Sequence, residues 1–567
     1  MPLPTHSNVQ RSAGSGLWTG PSSGPFHDPS NFNEVFLGAF RRDVLSFYPG
    51  SRIEREPAVI LAGSTAPAPR VTPTFALDFE LDEESGGSRD SVRVALFGVW
   101  YRLSVPRSLG LGPRDYGLIR AVGRVMELHH QVLFRWSRVS LLQLRRGMPE
   151  DHYVAAAVDP SAYSAAASSP SRIAEAILTL RTMALSTYEN RRVTTGTLII
   201  GAGSRSATDP PRAILGASPE ALAFGVELTG LKTLHRLCDG RRTVFLVDQQ
   251  GRLTDLVDIR HWAIDESHTE DQPPRLENED EPDTDTDTDT ETETVLSVPC
   301  PRVYTFHALA TRTGGHVCLV LSPNQEIKVF AGGVQAFVFA HGRWRVLDPE
   351  SKFAVWEGAV ANPRLARVLF QTALDLAEER QGGLLVVVSD PARAIGRLVA
   401  PHDVLEFELD PEPASTALAD AIDRESPARP FSLFGLTQQE TSPGEAAPGD
   451  PGDIPIPSLV EPLSKRSIHY LARSGSVTKL DAAVLEALAG LDGALVTDSN
   501  GRLLAFGAIL RHDVHSLSGC DLASPPALAE GARTTAALVA SHFGPVLKIS
   551  EDGIVSCFLD GARVWDL

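Results

Sequence analysis

Between residues 265 and 294 the chain carries fourteen carboxylates and a single cation, Arg275, so −13 of its net charge of −19 lies in one short stretch. At its centre stands Asp283-Thr284-Asp285-Thr286-Asp287-Thr288-Asp289-Thr290. Such a run repels itself and has almost nothing apolar to bury, so residues 265–296 are expected to be a disordered insertion in whatever folds around them. The repeat lacks the glycine and terminal glutamate of an EF-hand loop, which argues against a calcium site. A second stretch, about 411–457, is rich in Pro, Ser, Ala and acids and is expected to loop out in the same way. With a disordered tail over 1–29, these segments leave two folding units, 30–357 and 358–567, while the length of 567 residues by itself suggests about three to four units including linkers.

The class expected is α/β. No apolar run reaches the roughly 18 residues of a membrane span, and no basic segment leads into an apolar one at the N-terminus. Cys238, Cys300, Cys318, Cys520 and Cys557 show no C-x-x-C spacing and read as reduced thiols. A cytoplasmic location with no membrane partner follows as the expectation. No basic stripe with interleaved aromatics appears, so no nucleic-acid partner is expected.

In the first unit, 91–103 alternates as strands do, 114–134 and 171–188 have helical spacing, and 197–200 is a short buried strand. Two hairpins follow, 242–257 turning at Gln249-Gln250-Gly251 and 316–330 turning at Pro323-Asn324-Gln325, with further strands over 332–344 around His341-Gly342. The acidic run therefore interrupts a sheet. An α+β unit is expected.

In the second unit, Asn362-Pro363 starts a helix, since Asn caps and Pro suits the first helical position. Leu365, Val368, Leu369, Ala373 and Leu376 give it an apolar face. Gln381-Gly382-Gly383 is expected to end it before a buried strand over 384–388. A second amphipathic segment, 480–488, leads into Asp492-Gly493-Ala494. Strands then flank Asp498-Ser499-Asn500-Gly501, where Asn-Gly supplies the positive φ angles of a hairpin. Later, Gly531-Ala532-Arg533-Thr534-Thr535 opens a helix, and Ser550-Glu551-Asp552-Gly553 is a turn before a strand at 554–559. A carboxylate at a strand start, with a guanidinium, two hydroxyls and free N–H groups at a helix start, is what polyphosphate binding requires.

The order of these elements over roughly 200 residues resembles the catalytic domain of diadenylate cyclases, a mixed central sheet flanked by helices. In that family an Asp-Gly-Ala motif and an Arg-His-Arg motif join two ATP molecules into cyclic di-AMP. The resemblance implies that Asp492 binds Mn²⁺ or Mg²⁺ and helps activate the ribose 3′-hydroxyl, and that Gly493 and Ala494 let the backbone approach the nucleotide. It further implies that Leu510 lines the adenine pocket, and that Gly531, Arg533, Thr534 and Thr535 hold the phosphates with Ser550, Glu551 or Asp552 completing the wall. Asp492, Gly493, Ala494 and Arg533 are then the catalytic set, and ATP and a face-to-face homodimer are the partners. The first unit resembles the sensor domains found N-terminal to such cyclases in bacteria, with a ligand the sequence does not identify.

The chain departs from the family where its His and second Arg are replaced by Thr534 and Thr535. A cation and a proton carrier are missing, and each lost charge-assisted contact costs about 1.5–3 kcal/mol. A catalytically inactive nucleotide-binding sensor or scaffold of the same fold is therefore the rival reading. Nucleotidyl transfer to another acceptor is a third. Other motifs fail in context: Gly20-Pro21-Ser22-Ser23-Gly24 lies in a polar tail, Gly201-Ala202-Gly203-Ser204 lacks the lysine of a phosphate loop, and His512 and His515 read as loop residues. His129 and His130 read as helix residues that pack or face solvent.

Overall fold

The structure, a computed structural model, describes residues 33–56, 79–81, 91–96, 99–106, 110–134, 146–164, 169–201, 223–225, 237–270, 296–405, 476–511 and 531–567. The Asp-Thr repeat, the 411–457 stretch, the 1–29 tail, the Gly20 motif, His512, His515 and Cys520 lie outside these residues. The protein is mixed α/β. No described helix is long and apolar enough to cross a membrane.

A four-stranded antiparallel sheet comes first: β1 (Arg52–Arg55), β2 (Phe79–Leu81), β3 (Ser91–Leu96) and β4 (Val99–Ser104), in the order β1-β4-β3-β2. A two-residue ribbon, β5 (Thr187–Tyr188) with β6 (Arg191–Arg192), follows the helix Arg172–Ala184. Helical spacing alone suggested a helix to 188. It stops earlier because Glu189 and Asn190 take positive φ angles of 49° and 62° and turn the chain into a hairpin. Seven strands then form one sheet: β7 (Thr195–Ile199), β8 (Thr243–Val247), β9 (Leu253–Asp258), β10 (Val317–Leu321), β11 (Ile327–Ala331), β12 (Val334–Ala340) and β13 (Arg343–Val346). Their order is β13-β12-β11-β10-β7-β8-β9, with β7 and β8 parallel and the other pairs antiparallel. The acidic run thus joins β9 to β10 within one sheet. Its first residues are helical, since Ile259–Glu270 is a helix begun by Asp258, whose carboxylate accepts the Arg260 N–H at 2.9 Å. At the other end Leu296 is buried and its carbonyl accepts from Arg367 at 2.5 Å, so the expected insertion is shorter than 265–296 on both sides.

The second sheet that matters for function has six strands: β14 (Gly383–Val388), β15 (Ala494–Asp498), β16 (Leu503–Ala508), β17 (Val546–Ile549), β18 (Val555–Leu559) and β19 (Ala562–Asp566), in the order β16-β15-β14-β17-β18-β19. All of β14, Gly-Leu-Leu-Val-Val-Val, is buried, as a central strand covered on both faces must be. Its side chains divide by parity. Leu385 and Val387 join the cluster of Leu365, Leu369, Phe370 and Leu485, whereas Leu384, Val386 and Val388 join Ala537, Val539 and Ala540. Helices Pro363–Glu378 and Ala482–Ala489 therefore cover one face and Ala532–Ala540 the other.

The helix Pro363–Glu378 starts as expected, the Asn362 side chain accepting the Leu365 N–H at 3.2 Å. Its end is different. Arg380, with φ 60°, makes the left-handed turn, and the Gln381 N–H returns to the Leu376 carbonyl at 2.9 Å. The boundary expected at 357–358 falls inside the helix Pro349–Val360, and the break comes at Ala361, φ 58°. Trp356 is fully buried and donates to the Ala366 carbonyl at 2.9 Å, and Val334, Val338 and Leu347 share a core cluster with Leu365 and Val555. The two units are packed as one body along this seam.

Charge is buried in the seam too. The Asp375 carboxylate accepts the Arg302 N–H at 2.7 Å and the Gln371 amide at 3.2 Å, yet burial outweighs these bonds and lifts its pKa from 3.8 to about 7. An acid raised in the folded state adds stability that is complete below its unfolded pKa and is lost as pH rises through its folded one. Urea midpoints measured against pH should fall between about pH 4 and 7 partly on this account. Asp375→Asn should flatten that part of the profile; an unchanged slope would exclude Asp375 as the group responsible.

Candidate functional site

The residues singled out in the second unit converge at one end of the six-stranded sheet. Asp492 precedes β15, Arg533 is the second residue of the helix Ala532–Ala540, and Glu551 lies in the turn between β17 and β18. Arg533 Nη1 donates to Glu551 Oε1 at 3.2 Å, and its Nη2 stands 3.8 Å from Asp492 Oδ1. All three side chains are open to solvent: Asp492 entirely, Glu551 at 73% and Arg533 at 40%. A carboxylate with no hydrogen-bond or ion-pair duty beyond one long contact among the described residues is free to take a ligand.

Glycines make the approach possible. Gly493 has φ 121°, and a Cβ there would collide with the Gly507 carbonyl carbon, so the two chains meet backbone to backbone where β15 joins β16. Ala494, the first residue of β15, is buried and pairs with Ala508. Gly382 makes room in another way, since a Cβ there would overlap the Arg533 guanidinium. The sequence pattern assigned Gly382 to helix termination, and the signal that reading missed is that two successive glycines exceed what one helix end needs.

Gly531, φ 89°, caps the helix without a side chain, and the Thr534 and Thr535 N–H groups fold back on its carbonyl at 3.1 and 3.2 Å. The Thr535 hydroxyl does the same at 3.3 Å, while Thr534 is half-buried. Positive dipole is thus presented beside Arg533. The Ser550 hydroxyl is buried without a hydrogen-bond partner among the described residues. Asp552 offers an exposed side chain, and Arg380 holds its carbonyl, which ties the turn to the helix Pro363–Glu378. Arg380 was not a sequence candidate. Lys548, two residues before Ser550, is half-buried, and burial holds its ammonium below the ordinary value.

Leu510 faces inward. It is 5% exposed and belongs to the core cluster of Leu398, Leu504 and Ala537, whereas Ile509 exposes 77% of its surface. Alternation along the chain after β16 puts the isoleucine, not the leucine, outward.

Mg²⁺ and Mn²⁺ need few protein ligands when a nucleotide's phosphates supply the rest, and the unencumbered oxygens of Asp492 suit that role. Among the described residues no cluster of three or more His, Cys, Asp or Glu forms a metal cage by itself. Comparison with protein-family models, with curated proteins and with solved structures gave no match for this chain.

Proposed function

We propose that the second unit binds ATP and acts as a diadenylate cyclase, with the first unit adjusting its output. The observation that supports this most directly is the meeting of Asp492, Arg533 and Glu551, far apart in sequence, beside Gly382, Gly493 and Gly507 at one sheet end. An exposed carboxylate, a guanidinium and a helix N-terminus within one patch form a surface that a metal-bound triphosphate fits.

In the proposed reaction the 3′-oxygen of each ATP bonds to the α-phosphorus of the other, and each α–β bridging P–O bond breaks to release pyrophosphate. A divalent ion on Asp492 would supply Lewis acidity at the phosphates and ease loss of the 3′-hydroxyl proton. Arg533 leaves its contacts with Glu551 and Asp492 to bind phosphate oxygens, and Gly493 lets the segment that carries Asp492 pack directly on the Gly507 backbone. Each unit holds one ATP, so two protomers must face one another for in-line attack.

The second reading, a nucleotide-binding sensor without turnover, is favoured by one feature. Thr535 spends its hydroxyl on the Gly531 carbonyl where the resemblance calls for a cation. Incubation of the full chain with ATP and Mn²⁺ or Mg²⁺, followed by mass spectrometry, separates the two. Cyclic di-AMP is expected, and ATP binding without product would select the sensor. Thr534→His with Thr535→Arg should raise product formation about tenfold or more, the worth of one restored charge-assisted bond; no change would show that catalysis is not limited there.

A further inference from the structure

A cleft of about 370 Å³ opens between the two units, away from the site just described. Arg343 and Arg345 of β13, Lys352 of the helix Pro349–Val360, Arg563 and Asp566 of β19, and Asp115 supply its charged wall, four cations against two carboxylates. Lys352 is only 8% exposed, and its ammonium makes no hydrogen bond or ion pair among the described residues. Arg345 likewise pairs with none of them, and its Nε is buried without a partner. Three carboxylates, Asp115, Asp348 and Asp566, lie near Lys352, but none forms an ion pair with it. Asp115 accepts the Tyr48 hydroxyl and the Gly112 N–H, both at 2.8 Å, and Asp566 Oδ2 faces Arg563 at 3.5 Å. Asp566 Oδ1 remains buried and unpartnered among the described residues.

Buried cations held short of a direct ion pair remain only partly compensated and costly unless something else neutralises them. Burial lowers the Lys352 ammonium from its ordinary value, with Asp115, Asp348 and Asp566 opposing. A guanidinium presents donors in a fork that matches phosphate, an ammonium adds a point charge, and a free carboxylate oxygen accepts from a hydroxyl. The volume suits a small metabolite.

We propose that this cleft binds a small phosphate ester, its phosphate held between Lys352 and Arg345 and a hydroxyl on Asp566. The position gives the ligand a grip on both units, because Ile554, directly after the turn that carries Glu551, lines the same cleft. The binding itself does not depend on the cyclase reading.

Calorimetric titration of the full chain with inorganic phosphate, glycerol phosphate and succinate tests it. Glycerol phosphate should bind best and phosphate measurably. Lys352→Met, which keeps the stem and removes the charge, should weaken both about tenfold or more. Arg345→Gln should do the same and serves if the first variant fails to fold. Arg533→Ala removes any phosphate held at the nucleotide site and should leave the glycerol phosphate affinity of the cleft unchanged. No binding, glycerol phosphate binding lost in Arg533→Ala but kept in Lys352→Met, or a preference for succinate would each overturn the proposal.

Discussion

Asp492→Asn is expected to abolish cyclic di-AMP formation, a fall of at least about a hundredfold, with no change in the thermal unfolding profile. The second half follows from exposure. The Asp492 side chain is fully solvated, and its ion pair with Arg533 is a 3.8 Å surface contact of the sort that adds little to stability. The first half follows from charge: an amide keeps the shape but neither attracts a divalent ion nor helps draw off the 3′-hydroxyl proton. The measurement is product formation by mass spectrometry beside ATP affinity by calorimetry. Full activity in the variant would remove Asp492 from the proposed mechanism. A fold lost with it would contradict the exposed position.

Lys328→Ala should be the most damaging single change to stability, costing about 3–5 kcal/mol. Lys328 lies on β11 with its Nζ 2.6 Å from Glu378 Oε2 and 3.2 Å from Glu326 Oε2, and the three side chains are 5%, 6% and 8% exposed. Tyr304 donates to the other Glu378 oxygen at 3.1 Å, and Arg380 pairs with Glu326. Without the lysine, two buried carboxylates face each other across the seam between the units, with Arg380 paired to Glu326 and Arg345 farther off as partial compensation. The cost is that of a stranded charge rather than of a lost attraction, so adding Glu378→Gln should recover much of it. Urea unfolding of the single and double variants reads both. A double variant as unstable as the single would mean that packing by the lysine stem matters more than its charge.

Local chemistry is legible in the amino-acid order. The Asn362 cap, the hairpins at 249–251 and 323–325 and the Asn500-Gly501 turn stand where their residues placed them, because a turn or a cap is decided by a few adjacent φ angles and one short-range hydrogen bond. Sequence and structure part where two local signals compete. At 381–383 the glycines look like a helix stop, but Arg380 takes the left-handed conformation itself, and Gly382 is instead the floor under Arg533. At 189–190 the positive φ angles belong to Glu and Asn, residues that carry no obligatory turn signal. The candidate site is half legible. Asp492, Gly493 and Arg533 can be named from their motifs, but Ser550, Glu551 and Asp552 cannot be ranked, since side-chain direction in a three-residue turn depends on what lies opposite.

The amino-acid order alone determined the alternation of buried and open positions, hence a mixed α/β protein, because hydrophobic periodicity is a property of short stretches. Only the tertiary structure decided that Glu551 meets Arg533, that Leu510 turns inward, that Lys328 bridges two glutamates and that Lys352 and Arg345 face an open cleft without a direct ion pair among the described residues. Each of these depends on groups brought together from distant parts of the chain. Their energies arise from burial and distance, which no local pattern encodes.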